Sequence, residues 1–115
     1  MTGLSGYIRV STDGQTNENQ RLQIQSYCRT KHLHNVIWVD ETVSGTRAPT
    51  KRRLGELLRL AVTGDTVIVT ELSRLGRSLI MIMNVLQEFL DKGVKVKAIK
   101  EGFESDDSIV SKVLA

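Results

Sequence analysis

Tyr7, Arg9 and Ser11 are spaced two residues apart in the run Leu4-Ser5-Gly6-Tyr7-Ile8-Arg9-Val10-Ser11. In extended backbone, alternate side chains share a face, so a phenol, a guanidinium and a hydroxyl line up, with Ile8 and Val10 turned the other way. Glu71, Ser73, Arg74 and Arg77 form a second concentration of reactive types, directly after the apolar run 66–70. Asp40 and Glu41 follow Val36-Ile37-Trp38-Val39. Arginine presents a planar fork of donors that matches phosphate oxygens and keeps its charge at any ordinary pH. A phosphodiester under attack gains negative charge on its non-bridging oxygens, and fixed arginines stabilise that state more than the ground state. A serine beside such cations has its alkoxide favoured and becomes a usable nucleophile. The chemistry these residues suit is phosphoryl transfer. The plainer alternatives are an Arg9–Asp40 structural ion pair and a Ser11 that only caps a turn.

These side chains meet only if the elements carrying them end on one side. Leu4–Val10 reads as a strand. Thr16–Lys31 reads as a helix, with Ile24, Tyr27 and Cys28 on one face. Val36–Val39 is a second, β-branched and aromatic strand. Residues 42–49 form a loop with Gly45 and the only proline, and Thr50 can cap a helix to about Val62 with the stripe Leu54, Leu57, Leu58, Ala61. Gly64-Asp65 ends it and Thr66–Thr70 is a third strand. Ser78 caps a helix carrying Leu79, Ile82, Met83, Leu86, Phe89 and Leu90, which Gly93 stops. Val94–Ile99 alternates apolar residues with lysine, a fourth strand with one wet face. Ser105 or Asp106 can cap a last helix bearing Ile109, Val110, Val113 and Leu114. Strands alternating with helices give a three-layer α/β fold with a mostly parallel sheet of four to five strands flanked by helices. The carboxyl ends of parallel strands share one edge, where ligands bind. That edge receives Arg9 and Ser11 from the first strand, Asp40 and Glu41 from the second, and Glu71, Ser73, Arg74 and Arg77 from the third. An arginine in a covered parallel strand needs a partner or a cleft, because an unpaired buried charge is costly.

A chain of 115 residues holds one core. It lacks an apolar run long enough for a membrane span and a secretory leader, so no membrane partner is expected and a cytoplasmic setting is. Cys28 stands alone, which excludes an internal disulfide and a four-cysteine zinc site. Residues 1–100 carry fifteen Lys/Arg against nine Asp/Glu, whereas residues 101–115 carry one against four. A basic body suits a phosphate backbone, although solvated helix faces give the same tally.

Three motifs then carry a family resemblance. Tyr7-Ile8-Arg9-Val10-Ser11-Thr12 resembles the opening signature of the serine recombinases, the resolvases and DNA invertases. Leu72-Ser73-Arg74-Leu75-Gly76-Arg77-Ser78 is similar to their second motif. Ser44-Gly45 after Asp40, with Arg52 ahead of a leucine-rich helix, is similar to a third. The three fall in the family's order, and the similarity extends over essentially the entire chain. The resemblance implies a resolvase-like catalytic domain over 1–103. It also implies the start of a long dimerisation helix at 104–115, and a DNA-reading domain lying outside this fragment. It implies that Ser11 attacks a DNA phosphodiester, leaving a free 3′ hydroxyl and a 5′ phosphoserine bond whose energy is kept for religation, with no cofactor and no metal. Arg9, Arg74 and Arg77 would hold the scissile phosphate, and Arg52 would contact it. Tyr7, Gln15 and Gln20 match supporting positions, and Ser73 stands where many members have aspartate. Asp40, chosen over its neighbour Glu41 as the acidic position, would orient Arg9 or another arginine. Double-stranded DNA would be the partner, with homodimers pairing into tetramers, and neither site specificity nor catalysis is expected of the fragment alone.

Two other readings compete. A metal-dependent nuclease needs clustered ligands, but Asp40 and Glu41 are neighbours on a strand. His32 and His34 precede the second strand, at the edge opposite Ser11, and are expected to be exposed loop residues. That placement also denies Ser11 a histidine base. A receiver-like signalling module would place acidic residues on the first strand, where Arg9 stands.

Overall fold

In a computed structural model of the chain, residues 3–10, 18–42 and 53–105 are described. The elements run β1 (Leu4–Val10), α1 (Glu18–Thr30), β2 (Ile37–Thr42), α2 (Arg53–Leu60), β3 (Thr66–Val69), a 3-10 turn (Leu72–Arg74), α3 (Leu79–Asp91), β4 (Lys95–Ala98) and β5 (Phe103–Glu104). They build the expected three-layer α/β fold. One five-stranded sheet has the order β2-β1-β3-β4-β5. The first four strands pair in parallel and β5 closes one edge antiparallel to β4.

Burial follows the alternation within β1. Tyr7 joins a core with Leu54 and Leu58 of α2 and Val85, Leu86 and Phe89 of α3. Ile8 joins a smaller cluster with Ile24 and Cys28 of α1 and Ile68 of β3. So α1 covers one face, and α2 and α3 cover the other. Trp38 extends the α1 face by lying across Gly6, where an added Cβ would meet its ring at 2.8 Å. Only glycine lets the indole pass so close to β1.

Helix α3 carries its start and stop signals in sequence. The Ser78 hydroxyl accepts from Met81 N at 3.2 Å, a cap that typically contributes about 1 kcal/mol. Gly93 has φ +77°. There Gly93 N donates to Leu90 O and Val94 N to Phe89 O, both at 2.9 Å, the paired bonds of a left-handed helix stop. Val94 and Phe89 are both buried in the larger core, which supplies the apolar contact that accompanies this stop.

Three details depart from expectation. Strand β2 begins one residue later and runs on to Thr42, because β1 keeps pairing it through Arg9↔Glu41 and Val10↔Thr42. Asp40 and Glu41 therefore lie inside the ladder rather than beyond it. The 3-10 turn and β5 had no sequence signal of their own. Ser105 is buried, its hydroxyl accepting from Val96 N and its own N–H bonding Val96 O, each at 2.9 Å. It extends the β4–β5 pairing. Asp106 and the last apolar segment lie outside the described residues. Among the described residues, no helix is long and apolar enough to cross a membrane.

Candidate active site at the sheet's carboxyl edge

From β1 the chain moves outward to β2 and then returns past β1 to β3. The strand order thus reverses between β1 and β3, the position at which open α/β sheets place their ligand crevice. The β1–β3 ladder closes with Gly6↔Ile68, so the last residues of β1 run on without β3 beside them.

Arg9 occupies that stretch and is 7% exposed. Its Nε donates to Arg74 O and its Nη2 to Ser73 O, both at 3.0 Å. The compliment is returned by Arg74, whose Nη1 donates to Arg9 O at 3.2 Å. Each guanidinium is thereby held on the other residue's main chain. Gln20, buried on α1, completes the fixing of Arg9. Its Nε2 donates to Arg9 O at 2.9 Å and its Oε1 accepts from Arg9 N at 3.3 Å. These are the two bonds a neighbouring strand would have made.

Arg74 also pairs with Glu71 at 3.4 Å. Its Nε is buried without a hydrogen-bond partner. A buried N–H left unmatched typically costs about 1–3 kcal/mol. The Ser73 hydroxyl donates to Glu71 Oε1 at 2.9 Å. The Glu71 carboxyl is held below its ordinary pKa chiefly by that hydrogen bond; burial opposes it as the next effect, and Lys100 and Arg74 each add to the lowering. Arg77 is exposed on the bend leading into α3.

The two acidic residues of β2 divide between the faces. Glu41 is in register with Arg9, and Asp40 with Ile8. Fully buried Tyr7 donates its hydroxyl to Glu41 Oε1, while Glu41 Oε2 accepts from Arg53 N, the first N–H of α2. A carboxylate there is favoured by the helix dipole. Asp40 instead forms an ion pair with Arg21 of α1, whose guanidinium lies 4.6 Å from the centre of the Trp38 ring. Of the two roles expected for Asp40, orienting Arg9 or another arginine, the ion pair seen is with another arginine, Arg21. Strand alternation puts Asp40 on the α1 face, and Glu41 is the carboxylate that shares a face with Tyr7 and Arg9.

The structure thus gathers Arg9, Gln20, Ser73 and Arg74 directly, and seats Tyr7 with Glu41 behind them. Ser11, Gln15 and Arg52 lie outside the described residues. His32 and His34 are exposed in the connection before β2, as expected. Sequence reasoning brought Glu41 and Glu71 to this edge but gave neither a role, Glu41 being weighed only as the alternative to Asp40. For Glu41 the missing quantity was the β1–β2 register. For Glu71 the signal was present, a carboxylate three residues before Arg74, but its direction depends on the 3-10 turn.

The description "Resolvase, N terminal domain" belongs to the family model that matches residues 4–115. This chain is a member of that family. A resolvase from Clostridium perfringens (strain 13 / Type A) is 34% identical over 98 residues, 85% of this chain and 49% of the relative. The serine recombinase PinR of Escherichia coli (strain K12) is 33% identical over 103 residues, 89% of this chain and 52% of its own length. The chain therefore spans about half the length of the curated relatives it matches. Among solved structures, the N-terminal catalytic domain of TP901-1 integrase superposes with a TM-score of 0.75 at 21% identity. That match covers 98% of this chain and 88% of the other, and supports the resolvase-type fold. Of the three resolvase-like motifs, the described residues include Tyr7–Val10 of the first and all of Leu72–Ser78 of the second.

Proposed function

We propose that this chain is the catalytic domain of a serine-type site-specific DNA recombinase. The observation that carries the reading is the crossed Arg9–Arg74 pair where the strand order reverses between β1 and β3, with the buried Arg74 Nε left as an unmatched donor. The segment beginning at Ser11 follows Arg9 by two residues, so a nucleophile there starts from a backbone that Gln20 and Arg74 both hold.

In this mechanism the Ser11 oxygen attacks the phosphorus of a backbone linkage in double-stranded DNA. The Ser11 hydroxyl gives up its proton as its O–P bond forms and the P–O3′ bond breaks, and the departing 3′ oxygen takes up a proton in exchange, so the step is proton-neutral. Arg9, Arg74 and Arg77 hold the non-bridging oxygens, with Arg52 contacting the same phosphate. Gln20 fixes the Arg9 main chain, and Tyr7 and Glu41 fix β1 against β2 and α2. Gln15 supports the nucleophile's segment. Religation reverses the first step without ATP, because the phosphoserine link conserves the bond energy. Strand exchange proceeds in homodimers that pair into tetramers, in the cytoplasm where the DNA is, with no cofactor. The test is the full-length protein on a random-sequence duplex library, quenched in detergent. Protein-linked 5′ ends are expected in chelator as well as in magnesium, and none with Ser11→Ala although DNA retention persists. Undiminished strand cutting by Ser11→Ala contradicts the reading.

A further inference from the structure

The 3-10 turn between β3 and α3 is where the carboxylate chemistry of this site has moved. Glu71 sits at the turn's N-cap position yet makes no side-chain cap there. Glu101 bonds the first N–H instead, both its oxygens lying 3.3 Å from Leu72 N. Released from capping, the Glu71 carboxylate turns toward the site. Oε1 takes the Ser73 hydroxyl at 2.9 Å and pairs with Arg74 Nη2 at 3.4 Å, and Oε2 pairs with Lys100 at 3.3 Å. By the resemblance drawn from the sequence, Ser73 stands where many members carry aspartate. A serine hydroxyl offers no charge to an arginine, but it can relay a hydrogen bond to one that does.

We propose that Glu71 is a positioning residue for the phosphate-holding arginines, supplying from two residues upstream the carboxylate that Ser73 lacks; this rests on the recombinase reading above. Arg74 is held at Nη2 by Glu71 and at Nη1 by Arg9 O, which leaves Nε as the donor without a partner. The same carboxylate braces the turn whose Ser73 and Arg74 carbonyls receive Arg9. One side chain therefore fixes both guanidinium groups. Because it touches neither the nucleophile nor a bound phosphate in this role, its loss should slow the chemical step more than it weakens DNA binding. Misplacing a catalytic group by about 1 Å is enough to cost on the order of 100-fold in rate.

The test uses the full-length protein and a random-sequence duplex library, comparing Glu71→Ala with the double variant Glu71→Ala/Ser73→Asp. Glu71→Ala is expected to slow protein–DNA adduct formation at saturating DNA by about 10–100-fold, while DNA retention changes by less than about threefold. Returning a carboxylate at position 73 is expected to recover the rate to within about threefold of the parent. An unchanged rate in Glu71→Ala, or a loss that Ser73→Asp fails to recover, overturns the proposal. If Glu71→Ala does not fold, Glu71→Gln, which keeps an acceptor for the Ser73 hydroxyl, is read with the same partner change. Should the parent itself form no adducts, the recombinase reading fails, and side-chain NMR of Arg74 decides the positioning role separately. Rotation about its Nε–Cζ bond should be slow in the parent, fast in Glu71→Ala and slow again in the double variant. The same rotation rate in all three overturns the assignment.

Discussion

The two edges of the sheet each hold a carboxylate with a lowered pKa, and the partners of the two differ in kind. At the amino edge Asp65 precedes β3. Its Oδ1 accepts from Gly3 N at 2.9 Å and its Oδ2 from Val62 N at 3.0 Å. Those two main-chain bonds, Val62 first, are the chief reason its pKa falls. At the carboxyl edge Glu71 takes the Ser73 hydroxyl, Lys100 and Arg74, all of them side chains. Asp65 fastens chain to chain, while Glu71 orients groups suited to act on a substrate. The residue type and the direction of the shift are alike, so the identity of the partner is what separates scaffold from site.

Arg9→Ala should expose the contrast most strongly. Removing a preorganised donor of transition-state charge typically costs about 10²–10³-fold, to be read as the rate of adduct formation by the full-length protein. A rate within about threefold of the parent would make Arg9 a structural residue only.

Gln20→Ala tests the scaffold beneath that arginine. It takes the side-chain acceptor from the buried Arg9 N–H and one of two side-chain donors from Arg9 C=O, which keeps Arg74 Nη1. About 1–3 kcal/mol of stability should be lost, measured as a lower urea midpoint with an unchanged slope. No shift in midpoint would mean that water or another group replaces the amide.

How far the site could be read from sequence follows the same division. The period-two placement of Tyr7 and Arg9 against Ile8 and Val10 put them on the correct faces, because alternation in a strand is a local property. The helix stripes and the Ser78 and Gly93 signals set α3, again locally. The Arg9–Ser73–Arg74 contacts join residues more than sixty positions apart, so the sequence could bring them to one edge but not into bonding register. The division of Asp40 and Glu41 between the two faces was out of reach for the same reason. Neighbouring strand residues face opposite ways, and only the Ile8↔Asp40 and Arg9↔Glu41 register settles which one joins the site. The 3-10 turn was hidden because three residues carry too little periodicity to stand out.

The paired carboxylates also predict an acid response. Both have folded-state pKa values below their unfolded ones. Each therefore contributes stability that is present above the unfolded value, about 4, and is lost as pH falls through the folded value. Asp65→Asn and Glu71→Gln should each flatten the fall in melting temperature below about pH 4. Only Glu71→Gln should also slow adduct formation at neutral pH. Equal effects on adduct formation would erase the distinction between the edges.

The smallest effect belongs to the amino edge's exposed side chains. His32→Ala and His34→Ala should each leave stability within about 0.5 kcal/mol and adduct formation unaltered. His32 has φ +57°, so His32→Gly is expected to be tolerated at least as well as His32→Ala.

The most direct measurement is peptide mapping of the covalent adduct formed by the full-length protein on duplex DNA. A 5′ phosphate attached to Ser11 is the expected result. Attachment at another residue, or cut strands with no protein bound to either end, would contradict a serine nucleophile acting beside the Arg9–Arg74 pair.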